Sequence, residues 1–544
     1  MIVAHILLAA MTNSVVVNSW PSYGGGPQHS ALYYGASQSL ALDHWHTGLD
    51  DDPSYYGNAV FIHYASPVVS PGNTVLYAFR YNQTVNNTTD YNNWHVMARN
   101  GASGNVLYTV KTDFLAPVIW PNDWTSVFPL CLTPVKLNGV WNTGVAAGAA
   151  GGSVLILSNA DTASYTQNRV VFYTTFADYT ANASAYSNIY INTPITPDGN
   201  GNIYFGYTVK GSDPANFPQL GAGGIVKMNV STHQSQYVAI SKLNIPGGAS
   251  QIQTNSAPAL SSDGQHIYLG VYYNEGGSGP AYLAKVNASS LTLEASTALM
   301  DPSVPGNNAW LIQESSAAPM VAPDGHVFMG AFRANYGESH GWMFQADANL
   351  NTNDANGSPF PIGAFGWDDT PSVVPANLVP SYTGAAQYLI LTKYNDYADF
   401  HNSDPGAIGD NKVALLDPTS NSSGIDRQTG VKVMNLVMGI LGPLPDHNTG
   451  LGSCEWCINS AAVDVNKHSA IINSEDGHVY RWDFWTNTIT DHHLLEPPTG
   501  EAYTSTVIGP DGTIYAINNS VLFAVGNNVV ASAKPAQKTL VARR

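Results

Sequence analysis

A small-residue and proline segment, an Asp-Gly-type turn and an alternating aromatic strand recur in that order along this chain. The copies read Ser66-Pro67-Val68-Val69-Ser70-Pro71-Gly72 before Val75–Phe79, and Thr193-Pro194-Ile195-Thr196-Pro197-Asp198-Gly199 before Ile203–Tyr207. Ala257–Gly264 precedes His266–Gly270, Ala318–Gly325 precedes His326–Gly330, and Thr506–Gly512 precedes Thr513–Ala516. Looser copies begin at Thr133-Pro134, Thr370-Pro371 and Ser460-Ala461. The prolines at 67, 134, 194, 258, 319 and 371 stand 67, 60, 64, 61 and 52 residues apart. Pro-Asp-Gly makes a tight turn in which Gly supplies the positive φ. Alternation on either side buries one face of each strand. Each copy is therefore a hairpin.

A second hairpin lies between copies, as in Val96–Tyr108, Gly224–Asn229, Tyr282–Asn287, Val413–Asp417 and His478–Asp483. Two hairpins give four strands. A four-stranded unit at a near-fixed period is the signature of a propeller blade, whose faces are buried only against its neighbours. The expected fold is all-β: a β-propeller of four-stranded antiparallel blades, eight in number, with seven as the alternative. The expected boundaries are an N-terminal segment at 1–19, one propeller domain at 20–526 and a tail at 527–544. The N-terminal region is expected to complete the last blade and so remove an open edge.

Composition fits this reading and narrows the partners. Lys and Arg number 20 against 38 Asp and Glu, a net charge of 20 − 38 = −18, which argues against nucleic acid or anionic lipid. Only 11% of residues are charged while 44% are apolar, so a large core can form. Glycine at 50, proline at 33 and tyrosine at 30 favour turns and short strands. No run reaches the length of a membrane-spanning helix. The opening Met1–Met11 is apolar but has no basic residue before it, so it reads equally as a signal-like segment or a strand. Nine N-x-Ser/Thr sequons, few thiols and little lysine point to an extracellular or periplasmic protein.

The hairpin Val96-Met97-Ala98-Arg99-Asn100-Gly101-Ala102-Ser103-Gly104-Asn105-Val106-Leu107-Tyr108-Thr109-Val110 resembles the repeat of quinoprotein-like β-propellers. Trp20-Pro21-Ser22-Tyr23-Gly24-Gly25-Gly26-Pro27-Gln28-His29 resembles the opening segment of the same superfamily. The resemblance spans residues 20 to 526. It implies a central funnel, which in the quinoprotein dehydrogenases holds pyrroloquinoline quinone and calcium, the quinone stacked between a Trp and a disulfide of adjacent cysteines. This chain has no Cys-Cys pair and no haem c motif, so the quinone is not assigned from sequence.

Several clusters could carry chemistry. Cys454-Glu455-Trp456-Cys457 reads as a tight local disulfide, as two packed thiols, or as half of a metal site whose second half is missing. Loops at one end of a propeller converge on its funnel. Glu455, Glu475, Asp476 and Glu501 are therefore candidate catalytic carboxylates, with Trp456, Tyr503 and His447 as ligand-binding neighbours. Asp368-Asp369 is a ligand-binding pair or a turn that caps backbone groups. Asp396, Asp399 and Asp404 lie in an oxygen-rich loop that reads as a calcium site or as a polar surface loop without EF-hand spacing.

Three functions follow. The first is a rigid module that binds a protein or glycan through funnel and rim. The second is a quinone- and calcium-dependent oxidoreductase. The third is a cofactor-free polysaccharide lyase or hydrolase using the funnel carboxylates. No serine-hydrolase, zinc-protease or nucleotide-binding motif is present.

Overall fold

The computed structural model describes residues 19–527, apart from 52, 54, 57–58, 61–63, 86–87, 118–126, 274–277, 314, 335–339, 395–410, 446–451, 457 and 497–503. The described chain is nearly all strand, with one α-helix, Phe176–Ala181, capped by the Thr175 hydroxyl. In the first unit, Val68–Val69, Thr74–Val85, Thr88–Asn100 and Val106–Lys111 pair in sequence order, each antiparallel to the last. Comparable antiparallel groups recur over 130–171, 189–239, 251–298, 310–364, 372–441 and 462–494; an extra short strand joins the sheet at 189–239, and the groups at 251–298 and 310–364 are joined into one ten-stranded sheet by pairing of Ser278–Pro280 with Trp310–Ile312. The last group takes three strands from 507–526 and its outer strand, Leu42–Gly48, from the other end of the chain. This is a β-propeller, as the repeats require. The strand from the N-terminal region clasps Val521–Gly526 and ties the two ends of the chain together.

No unit has a core of its own. Every apolar cluster lies between neighbours. Val68, Leu76 and Val96 of the first unit pack with Leu132, Val145 and Leu155 of the second. Ile156 and Val170 of the second pack with Ile203 and Phe205 of the third. The pattern continues around the ring, and Tyr77 of the first unit meets Ile514 and Phe523 of the last. Two residues of the repeat acquire a role here. Tyr204 and Tyr268 donate to the carbonyls of Ala288 and Ala348 in the next unit along, at 3.5 and 2.9 Å. Gly206, Gly270 and Gly330 sit where a connecting segment packs against the second strand. A side chain on Gly330 would overlap the carbonyl oxygen of Gly366.

The innermost strands expose one unpaired edge to the ring axis. The segment 20–33 covers most of these edges in turn. Trp20 and Val69 exchange two backbone hydrogen bonds at 2.9 Å. The carbonyls of Pro21, Pro27, Gln28, Ser30 and Ala31 then accept from Leu132, Leu260, Val321, Val373 and Val463, at 2.7–3.0 Å. Those donors belong to the second, fourth, fifth, sixth and seventh units. Leu32–Tyr33 finishes as a short parallel strand on Val463 and Asp464.

The turn glycines and the strand glycines should differ sharply on substitution. Gly264 has a φ of +67° and open space around it, so Gly264→Ala should cost about 1–2 kcal/mol. Gly330→Ala meets backbone and should cost several times more, or abolish folding. Denaturant midpoints of the two variants measure the contrast.

Candidate functional site

The first strand of each unit runs toward the Asp-Gly turns, so those turns define one face of the ring. The connections between units, and the loops after each second strand, define the opposite face. Asp368 and Asp369 lie in the connection into Ser372–Pro375. Glu455 and Trp456 lie in the connection into Ala462–Asp464. Glu475 and Asp476 form the loop between Ser469–Asn473 and His478–Asp483. All six therefore share the loop face. His447, Glu501, Tyr503, Cys457, Asp396, Asp399 and Asp404 fall outside the described residues, and with Cys457 goes the expected Cys454–Cys457 pairing.

The loop-face residues are brought together in two groups. In one, the Glu475 amide donates to the Glu455 carbonyl at 3.3 Å. Asp476 accepts from the Tyr480 hydroxyl at 2.7 Å and pairs with His478 at 3.2 Å. That pairing raises the His478 pKa. Trp456 is fully buried and meets Tyr480 edge-on at 5.6 Å between ring centres. Cys454 is likewise buried.

The second group is charged and dry. Asp368 forms an ion pair with Lys393 at 2.8 Å, both side chains almost wholly buried. Asp369 accepts from the Thr392 hydroxyl and from the Lys393 amide. Burial raises the Asp369 carboxyl to about 7, with Lys393 and Thr392 opposing the shift. Beside these acids stands Tyr23. Its backbone lies between Pro21, bonded to the second unit, and Pro27, bonded to the fourth. Its hydroxyl reaches Ser316, Thr370 and Asn459 at the mouths of the fifth, sixth and seventh. The side chain therefore joins the segment 20–33 to the connections of three units. His29 packs edge-on against it at 5.1 Å, and burial lowers the His29 pKa to about 4, keeping the ring neutral. Asn459 also donates to Ser316. Lys393, Thr392, Tyr23 and Asn459 escaped the sequence reading. Only the position of Tyr23 in the Trp20–His29 segment hinted at a role.

No family model matches the chain, and no curated protein matches it. Solved structures do. A europium-containing methanol dehydrogenase aligns over 92% of this chain and 89% of its own, with 10% identity and a TM-score of 0.52. The quinohemoprotein alcohol dehydrogenase from Comamonas testosteroni aligns over 97% and 83%, with 11% identity and a TM-score of 0.54. The fold these two structures share with the chain is the β-propeller. At such identity the likeness reaches no further than the fold.

Among the described residues no three His, Cys, Asp or Glu side chains converge as a metal site. Asp369 accepts from Thr392 and Lys393, while Asp368 gives one oxygen to Lys393 and keeps the other buried without a hydrogen-bond partner among the described residues. Tyr23 and Asn459 are buried and hydrogen-bonded to one another.

The Asp369 shift carries a pH signature. Its pKa in the folded chain, about 7, lies above the ordinary 3.8. Between those values the unfolded chain is ionised while the folded one keeps its proton. Stability from this group is therefore full at low pH and falls as pH rises through the window. Asp369→Asn should flatten that fall. Denaturation midpoints of both proteins at about pH 5 and about pH 8 test it, and equal losses would mean the carboxyl is ionised throughout.

Proposed function

We propose that the protein is a rigid binding propeller that acts outside the cytoplasm and recognises a glycan or a protein partner through its faces and rim. The observation that supports this reading is the covering of the inner strand edges. The segment 20–33 takes up backbone groups on the inner strands of six units, and the buried Tyr23 hydroxyl bonds Ser316 and Thr370. A deep funnel is what a quinone cofactor needs in this fold, whereas a binding module needs a stiff frame and an exposed surface. The sequons, the scarcity of lysine and the three cysteines support a location outside the cytoplasm.

The competing oxidoreductase reading draws on the two dehydrogenases whose fold the chain shares. Calorimetric titration of the full chain with pyrroloquinoline quinone, with and without calcium, separates them. No saturable heat up to about millimolar quinone is expected, the range where binding is worth only about 4 kcal/mol. Calcium-dependent saturation at one site would overturn the binding reading.

A further inference from the structure

The turn face holds a groove of about 440 Å³ beside the start of the axial segment. Its apolar walls are Pro21 and Pro27 of that segment, Pro134 and Trp141 of the second unit, and Pro197 of the third. Trp141 is 55% exposed, unusual for an indole in a chain whose other large aromatics are mostly interior. It is held in place all the same. Asn138 and Gly139, with φ of 50° and 84°, make a two-residue hairpin turn that sets Trp141 opposite Lys136. The Lys136 ammonium lies 5.6 Å from the indole centre. A large aromatic ring is thus presented at the groove in a fixed pose.

The polar lining supplies the second observation. Thr133 is 2% exposed, lines the groove, and its hydroxyl has no hydrogen-bond partner among the described residues. A buried hydroxyl left unpaired costs free energy that a ligand hydroxyl would recover. Asn142, Thr143 and Asp198 complete the polar lining. Asp198 uses one carboxylate oxygen on the amides of Asn200 and Asn202 and the other on the Asn202 side chain, which fixes it as an acceptor facing the groove.

An exposed indole beside hydroxyl, amide and carboxylate groups matches a pyranose, which has an apolar C–H face and a rim of hydroxyls. A neutral sugar fits best, since the chain carries a net charge of −18 and a carboxylate lines the groove. We infer that this groove binds a neutral hexose unit of a glycan, the ring stacking on Trp141 and one hydroxyl pairing with Thr133. This rests on the binding-module reading and gives that module its ligand class and its place.

The test is titration of the full chain with maltotriose, cellotriose, mannotriose and chitotriose, followed by calorimetry and tryptophan fluorescence. One of them should bind saturably and change the fluorescence. Trp141→Ala should weaken binding at least about tenfold without lowering the denaturation midpoint, since the ring is largely exposed. Thr133→Val, which keeps the shape and removes the hydroxyl, should weaken binding while the fluorescence change remains. Absence of binding to all four up to about 10 mM overturns the inference. So does binding that Trp141→Ala leaves intact. Neither outcome touches the binding-module reading, which falls only to calcium-dependent quinone binding.

Discussion

The innermost strands of a propeller have backbone groups on one edge that no neighbouring strand can reach. In a ring those edges all face the axis, where they must find partners in solvent, in a ligand or in the chain itself. Here the chain provides them. Trp20 takes Val69, and five carbonyls between Pro21 and Ala31 take the inner strands of five further units in sequence order. One extended segment thus links units that are distant in sequence and otherwise touch only their neighbours. The outer strand Leu42–Gly48 does the same work at the rim by joining the last unit to the first part of the chain. The ring is clasped from inside and outside by residues less than thirty positions apart.

The same arrangement decides what the buried acids can do. Two carboxylates side by side in a dry interior repel one another, and one of them must be neutralised. Lys393 takes the charge of Asp368, while Asp369 satisfies its oxygen with Thr392 and the Lys393 amide and is driven toward its protonated form. The Tyr23 hydroxyl and Asn459 alongside tie the mouths of three units together. One oxygen of Asp368 is left over, buried without a hydrogen-bond partner among the described residues.

Much of the ring was legible because its cause repeats. Each Asp-Gly turn and each alternating strand answers the same local demand in every unit, so period and turn chemistry give the fold. The repeat also carried information that could not be decoded without neighbours. Tyr204 and Gly206 look like ordinary strand residues, yet one reaches into the next unit and the other makes room for a connection. The site was less legible. Sequence reasoning gathered Glu455, Glu475 and Asp476 in one set of loops and read Asp368 and Asp369 as a separate pair, without relating the two groups. It had no means of finding Lys393, which stands 24 residues after Asp369 on another strand, or Tyr23, whose partners lie in three units. Trp456, read from the sequence as a ligand-binding neighbour, is wholly buried and packs with Tyr480 and Trp482.

Proline explains how one segment can cover the inner strand edges and still leave a usable surface beside it. Pro21 and Pro27 give their carbonyls to the inner strands but have no N–H to offer in return. The outer side of the segment is therefore poor in donors and cannot recruit a further strand. Their rings instead make a smooth apolar wall, joined by those of Pro134 and Pro197 from the inner strands of two units. Residues that withhold an N–H thus frame a concave surface beside the covered inner edges. Trp141 and Thr133 stand on that surface because the second unit's hairpin runs past it. A groove framed by backbone this constrained holds its shape before any ligand arrives, and little ordering entropy opposes what binds there.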